Sequence, residues 1–380
     1  MPTRCPDPHR AVQPQKRPHL SCNGQTERRN GIGNGIQGDC LSWRSRSPGK
    51  PTGETALQSA RYSLLAFTFA LLCFILARMK LAALALLFFL LPPLSAGLKS
   101  GPALPHRLVP NWAKLPKGWN LGEASGVAVD RHDNVWVFNR GAHPVIEFDR
   151  NGNFLQSWGD GGMIKSSHGI RIDPDGNIWC IDVEGHLVLK FSPEGRVLMV
   201  IGRSPGNNDS KDAFNRPTNI AFTPSLDFFY VSDGYVNSRV VKFNRDGEYV
   251  MHWGHKGTGD GEFDLVHDVC LDSKGRVYVA DRSNSRVQIF DADGRYLGKW
   301  TDVGQPWGLT YYAPENSIYM CDGINNRIVK LNLDGEIQGV LSSYGRIPGK
   351  IDFAHSIAVD STGAIYVSEI KNWRVQKWAK

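Results

Sequence analysis

The 380-residue chain has an ordinary globular composition, with 41% hydrophobic and 21% charged residues and a net charge of +7. The positive charge lies in residues 1–97, which carry 12 Lys and Arg against 4 Asp and Glu, whereas the remainder has an excess of one acidic residue. The remainder therefore lacks the basic excess that typifies nucleic-acid binding, and we expect no nucleic acid among its partners.

The N-terminal region predicts an exported protein. Residues 1–60 are rich in Pro, Gly, Arg, Ser and Asn and predict disorder. Met79 and Lys80 then precede an apolar run over 81–91 and a small-residue cleavage site after Ala96, the form of a signal peptide. We expect Met79 to be the true start and 1–78 to be disordered or an over-read of the gene, with 79–96 as the signal peptide.

The alternative for this region is a membrane anchor at 62–92. Arg78 and Lys80 disfavour one long span, because a charge near its middle costs about 2.5–3.5 kcal/mol on insertion scales. Both interpretations place the remainder outside the cytoplasm, secreted or periplasmic, with membrane contact only through this segment.

A repeated pattern begins at Ser125. Six copies start at residues 125, 168, 218, 267, 307 and 355, and each continues with two further apolar runs. In five copies a turn with glycine at its end comes next, as in "DRNG" and "NRDG", where glycine supplies a positive φ. Four short strands per copy at intervals of 40–50 residues predict an all-β fold, a six-bladed β-propeller over 125–380.

The sixth copy stops after its third strand, at "VQKWAK". A closed ring has to cover that open edge. We therefore expect 97–124 to be a linker and closing strand, with 104–118 supplying the fourth strand. Arginines before the third strands resemble the structural arginine of NHL repeats, and we interpret them as structural: Arg239, Arg286, Arg327 and Arg374.

One register of the repeats carries histidines. The residue before each first strand reads Ser125, His168, Thr218, His267, Trp307 and His355. Histidine thus occupies alternate blades, about 120° apart around the axis, where three imidazoles can converge on one metal ion with an open fourth position. Zinc is the first choice, with copper, nickel and iron as alternatives. The competing interpretation is three histidines that cap strand ends.

A second register, after the second strands, carries arginines. Arg140 and Arg282 lie there in opposite blades, and Tyr235 lies one residue further along in blade three. Guanidinium forks match carboxylates, so this register predicts a carboxylate-bearing substrate. The alternatives are strand-end ion pairs, for example with Asp281, and a packed aromatic ring.

These motifs resemble the peptidyl-α-hydroxyglycine α-amidating lyase family. The resemblance covers 125–380 and runs through "SGVAVD…VFNRG", "HGIRID", "RPTNIAF", "VSDGYVNSR", "HDV…VADR" and "HSIAVD". It implies zinc on His168, His267 and His355, with Tyr235, Arg140 and Arg282 as the catalytic and substrate-binding residues.

The resemblance also implies a structural calcium ion in the channel. Its ligands are two backbone carbonyls, which fall on Val127 and Ile170, and an aspartate, where this chain has Ser356. A hard dication prefers anionic oxygen, which a serine hydroxyl does not offer, so the sequence argues against calcium here.

The activity implied by the resemblance is zinc-dependent C–N lysis of peptidyl-α-hydroxyglycine to peptide amide and glyoxylate. We expect a monomer that takes a peptide or a small carbinolamide. Two alternatives stay open at the level of sequence. One is a metal-dependent propeller hydrolase, and the other is a non-catalytic binding module that uses the loop 202–217.

Overall fold

The computed structural model describes residues 98–206, 210–211 and 213–380. The predictions for 1–96 lie outside the described residues, and the loop 202–217 is described only in part. No helix in the described part combines the length and the apolar character that a bilayer crossing requires.

Six four-stranded antiparallel sheets form the fold, and each sheet is one blade. Blade one consists of β2 Ala124–Val129, β3 Val135–Asn139, β4 Val145–Phe148 and β5 Phe154–Trp158. Blade two consists of β6 Ser167–Ile172, β7 Ile178–Asp182, β8 Leu187–Phe191 and β9 Val197–Gly202. Blade three consists of β10 Asn219–Phe222, β11 Phe228–Asp233, β12 Arg239–Asn244 and β13 Tyr249–Trp253.

The other three blades repeat the arrangement. Blade four consists of β14 Val266–Leu271, β15 Val277–Asp281, β16 Arg286–Phe290 and β17 Tyr296–Trp300. Blade five consists of β18 Pro306–Tyr312, β19 Ser317–Asp322, β20 Arg327–Asn332 and β21 Ile337–Leu341, with a 3-10 turn at Ala313–Glu315. Blade six contains β22 Ala354–Val359, β23 Ile365–Glu369 and β24 Arg374–Ala379.

The ring is closed by an N-terminal strand, as the sequence predicts. Strand β1, Arg107–Val109, pairs antiparallel with β24 and becomes the outer strand of blade six. Leu108 lies opposite Trp378 in this pairing. The two ends of the propeller are therefore joined by hydrogen bonds, and β24 is not left as an open edge.

Glycine ends the turn between the third and fourth strands in five blades. Gly152, Gly195, Gly247, Gly294 and Gly335 all have φ between 77° and 84°. Each glycine N–H donates to the carbonyl three residues earlier, and the strand register shifts just beyond. These are three-residue hairpin loops with a glycine bulge, so the left-handed backbone falls on the glycine alone.

The repeated arginines are structural. In blades three to six the arginine that opens the third strand pairs with the acidic residue that ends the second, as Arg327 does with Asp322 at 2.8 Å between Nε and Oδ2. Asp322 is fully buried. Because a buried carboxylate needs a partner, this pair fixes the connection between the second and third strands in each of these four blades.

Apolar side chains fill the space between neighbouring blades. Each of six buried clusters in the described part draws its members from two adjacent blades. The first strands of consecutive blades lie next to one another around the axis. Residues at equivalent positions of these six strands therefore form rings around the central channel.

Candidate metal centre and its surroundings

The three histidines of the predicted register meet in the channel. His168, His267 and His355 lie near the starts of β6, β14 and β22. At each of them the pairing with the second strand is interrupted: His267 and His355 are the extra residues of β-bulges, and in blade two the irregularity spans His168 and Gly169. A bulge turns a side chain away from the regular alternation. At all three positions the irregular pairing coincides with an imidazole that points toward the other two.

The three rings form an almost equilateral triangle. Their centroids are 4.8 Å apart for His168 and His267, 4.7 Å for His168 and His355, and 4.9 Å for His267 and His355. All three residues are buried, and their candidate ligand atoms lie within 4.8 Å of one another. Imidazoles this close, with no carboxylate among them, match the ligand set of a three-histidine metal site.

Each histidine is held by a carbonyl of the next blade. Nδ1 lies 2.7 Å from the Thr218 carbonyl oxygen for His168, 2.6 Å from that of Trp307 for His267, and 2.6 Å from that of Ser125 for His355. A carbonyl can only accept, so Nδ1 carries the proton and Nε2 keeps its lone pair. The remaining three residues of the same register thus orient the three histidines.

All three imidazoles are neutral near pH 7. Burial lowers the pKa of His168 and of His267 well below the ordinary 6.5, and it lowers the pKa of His355 to about 3. Arg140 and Arg282 contribute further to the depressed pKa values of His168 and His355. Metal binding requires neutral imidazole, so the residues present fit a divalent ion that prefers nitrogen ligands.

Tyr235 lies at the edge of the histidine triangle. Its hydroxyl oxygen is 3.2 Å from Nε2 of His168 and 3.4 Å from Nε2 of His267. The residue follows β11 by two positions, which carries it from the blade edge to the channel mouth. The structure thus brings the predicted tyrosine to the side of the triad on which an open coordination position can lie.

Arg282 lies beside Tyr235 and is not engaged by Asp281. Its guanidinium carbon is 5.7 Å from the centre of the Tyr235 ring and 4.2 Å from that of Trp307. Asp281 pairs with Arg286 instead, at 2.6 Å between Oδ2 and Nε. Arg282 therefore forms no ion pair with Asp281, and its charge contributes to the lowered pKa values of all three histidines.

Arg140 has a carboxylate neighbour. Its Nη1 lies 2.5 Å from Oε2 of Glu123, and its Nε donates to the Ser167 carbonyl at 3.2 Å. The side chain thus bridges blades one and two beside His168. Arg140 is close enough to lower the pKa of the histidines, but one side of its fork is occupied by Glu123.

A third arginine belongs to this cluster, and sequence reasoning assigned it no role. Arg216 lies with its guanidinium carbon 5.3 Å from the Tyr235 ring centre, and its Nη2 pairs with Glu184. It sits two residues before the histidine register, in "NRPT". Arg216 opens the motif "RPTNIAF", but Thr218 occupies the histidine register in blade three, so the repeat pattern assigned no role to the arginine. Tyr235 is therefore flanked by two guanidiniums, those of Arg216 and Arg282.

The residues of the implied calcium site do not fit calcium. The Ile170 carbonyl accepts a hydrogen bond from Arg171 Nη1 at 3.2 Å, and the Ser356 hydroxyl accepts one from the Val127 N–H at 3.4 Å. Calcium prefers several oxygen ligands, anionic ones among them. A cation already lies on one of the two carbonyls, and the third ligand has no charge.

The lowered histidine pKa values predict acid sensitivity of chelator-treated protein. The unfolded chain takes up protons below pH 6.5, whereas the folded triad resists protonation down to about pH 3 for His355. Stability is thus fully present above pH 6.5 and is lost as the pH falls. Between pH 7 and pH 5 we expect a loss of about 2 kcal/mol from His355 alone.

Urea unfolding in EDTA at the two pH values measures this loss. His355→Gln provides the control, since glutamine does not titrate, and its pH dependence should be correspondingly shallower. Equal slopes for the parent and the variant would contradict the assignment of the effect to His355.

The comparisons with known proteins agree with this architecture. The NHL repeat model matches residues 263–290, which span most of blade four. NHL repeat-containing protein 3 of Homo sapiens is 32% identical over 297 residues, with 72% of this chain and 84% of the relative covered. The chain belongs to the NHL repeat-containing protein 3 family. The match between the two proteins extends over most of both chains.

The NHL propeller is also related to an amidating lyase. Peptidyl-alpha-hydroxyglycine alpha-amidating lyase 1 of Drosophila melanogaster is 28% identical over 283 residues, covering 67% of this chain and 44% of the relative. The chain spans less than half the length of that protein. A solved streptogramin B lyase superimposes with a TM-score of 0.52 at 14% identity, covering 72% of this chain and 97% of the other, which supports the fold alone.

Proposed function

We propose that this protein is a metal-dependent lyase that cleaves peptidyl-α-hydroxyglycine to a peptide amide and glyoxylate. The observation that carries the proposal is the position of Tyr235 Oη, within 3.2–3.4 Å of two imidazole nitrogens of a buried three-histidine cluster. The relationship to an enzyme named for this substrate supports the proposal. Three neutral histidines with one open side are typical of a catalytic zinc site, which also supports the proposal.

His168, His267 and His355 would hold the metal through the nitrogens that their backbone hydrogen bonds leave free, and zinc is the ion that this donor set suits best. When bound, a zinc ion supplies Lewis acidity, which lowers the pKa of a hydroxyl group beside it. The protein supplies the orientation of the three ligands through the backbone carbonyls that receive the Nδ1–H groups.

Tyr235 handles the proton. In the proposed reaction Tyr235 Oη accepts the proton of the substrate α-hydroxyl and passes its own hydroxyl proton to the amide nitrogen as the bond between the α-carbon and that nitrogen breaks. The hydroxyl oxygen becomes the aldehyde oxygen of glyoxylate, and the amide nitrogen receives the proton. The atoms balance with no co-reactant, and the role requires Oη to lie next to the substrate hydroxyl, which its position beside the triad allows.

The arginines orient the substrate carboxylate. Arg282 is the better placed, since it lies against Tyr235 and Trp307 and its neighbour Asp281 is taken up by Arg286. Arg140 can donate to the substrate only those guanidinium N–H groups that are not bonded to Glu123 or to the Ser167 carbonyl. Two positive groups on one carboxylate fix the direction of the scissile bond.

The test is an assay for glyoxylate with purified full-length protein and a short acylated peptide that ends in α-hydroxyglycine. We expect equal amounts of glyoxylate and of the peptide amide, together with zinc in the purified protein. The same peptide ending in glycine serves as the control and should yield neither product. Absence of turnover by zinc-loaded, folded protein would refute the proposal.

A second candidate is an extracytoplasmic NHL propeller that binds a partner without catalysis. The observation that favours it is the ion pair between Arg140 and Glu123, which reduces the capacity of Arg140 to hold a substrate. This candidate expects the folded protein to bind peptides that end in a carboxylate without releasing glyoxylate. A metal-dependent propeller hydrolase finds less support, because the described metal cluster contains histidine and no carboxylate.

A further inference from the structure

A buried ion pair crosses the channel next to the histidines. Arg171 lies on β6 of blade two, and Asp268 lies on β14 of blade four, directly after His267. Nη2 of Arg171 lies 3.1 Å from Oδ1 and 2.9 Å from Oδ2 of Asp268. The two blades are not neighbours in the ring, so this contact links β6 and β14 across the axis.

The carboxylate of Asp268 is fully occupied. Besides Arg171, its Oδ1 accepts the Val269 N–H at 2.7 Å, and its Oδ2 accepts the Leu309 N–H at 2.8 Å. The residue is 1% exposed. With four hydrogen bonds from protein groups, it offers no free anionic oxygen to a metal ion.

Arg171 extends the link to a third blade. Its Nη2 also donates to the Leu309 carbonyl at 2.9 Å, and its Nη1 donates to the Ile170 carbonyl at 3.2 Å. One guanidinium thus touches backbone or side-chain oxygens of blades two, four and five. A divalent cation in the channel would connect the strands in the same way, since it binds oxygens from several strands at one point.

Asp268 occupies the same register as Ser356, the residue at the implied calcium-ligand position. In the register that follows the histidines, blade four has Asp268 and blade six has Ser356. The channel therefore keeps one carboxylate at this level, on a different blade, and it is neutralised by a side chain of the same protein. A dication beside Arg171 would be repelled by the guanidinium charge.

We infer that the Arg171–Asp268 pair replaces the structural calcium ion of the related lyases, so that this propeller is assembled and stable without calcium. The positive charge that holds the channel strands together belongs to the Arg171 side chain and not to a bound ion. Stability therefore does not depend on the calcium concentration of the compartment. The inference concerns the fold and stands whether or not the protein is a lyase.

The first experiment uses the unmodified full-length protein. Its metals are removed with EGTA, the chelator is dialysed away and zinc is restored, and thermal unfolding is then recorded with and without millimolar calcium chloride, while the calcium content of the protein as purified is measured by elemental analysis. We expect the same melting temperature in both conditions and far less than one calcium per chain. A stoichiometric calcium ion, or a melting temperature that rises with calcium, would overturn the inference.

The second experiment removes the pair one partner at a time. Arg171→Met leaves the Asp268 charge buried without its partner, and we expect the melting temperature to fall by about 5–15 °C. Adding Asp268→Asn should recover a large part of that loss, because the uncompensated charge is gone. Arg295→Met is the matched control, since Arg295 pairs with Asp291 on the surface and its loss should change little.

The third experiment restores the ligand set of the related lyases. The triple variant Arg171→Ser, Asp268→Ser, Ser356→Asp removes the guanidinium and returns a carboxylate to blade six. We expect its melting temperature to rise with added calcium, unlike that of the parent. If this variant is folded and indifferent to calcium, and Arg171→Met is as stable as the parent, then the pair does not have the role assigned to it.

Discussion

Tyr235→Phe is expected to lower kcat/KM for glyoxylate release by at least about 100-fold, the lower range for loss of a general acid–base group. The substitution removes the oxygen that lies 3.2 Å from His168 Nε2 and leaves the ring between Arg216 and Arg282 in place. Because the imidazoles and their carbonyl partners are untouched, the metal content should equal that of the parent. Steady-state kinetics together with elemental analysis separate the two effects.

The control for this substitution is Tyr344→Phe. Tyr344 is 64% exposed and lies in the loop between blades five and six, so the loss of its hydroxyl should leave kcat/KM unchanged. Retention of full activity in Tyr235→Phe, with zinc bound, would remove the tyrosine from the mechanism. A loss of activity accompanied by loss of zinc would assign it a role in holding the metal site together instead.

His267→Ala should abolish both metal retention and glyoxylate release. Three ligands are the minimum for a catalytic zinc site, and two imidazoles do not hold the ion at a comparable affinity. The parent protein should contain one metal ion per chain and should melt at a lower temperature after chelation, because a ligand that binds only the folded state stabilises it. Elemental analysis and thermal unfolding, each before and after EDTA, provide the measurement.

The matched control is His132→Ala, which removes an exposed histidine at a turn of blade one. It should keep the metal, the melting temperature and the activity of the parent. Full metal content in His267→Ala would show that the triad is not the binding site. Equal melting temperatures with and without EDTA would show that no metal contributes to the stability of the fold.

The blade pattern could be predicted from the sequence because it is local. Each of the five glycine turns lies 27–29 residues after the start of its copy, and the strands between the turns are short apolar runs. The missing fourth strand of the last copy could also be inferred, since a propeller with an open edge is unfavourable. Strand β1 lies within the segment that the sequence predicts for it.

The candidate site was predictable only as a set of positions. Three histidines at equivalent positions of alternate blades have to lie on one ring, and the structure brings them within 4.9 Å of one another, centre to centre. The surroundings could not be predicted in this way. Glu123 beside Arg140 and Arg216 beside Tyr235 belong to no repeated register, so no periodicity pointed to them.

The sequence by itself determined the number of blades, the closure of the ring and the register that places His168, His267 and His355 around the axis. Only the tertiary structure decided which nitrogen of each imidazole is left free to bind a metal and which side chain neutralises the Asp268 carboxylate in the channel. The reason is the range of the contacts: His355 is held by the carbonyl of Ser125, 230 residues away, and Arg171 meets Asp268 across 97 residues. Partners so far apart along the chain become neighbours only when the blades assemble.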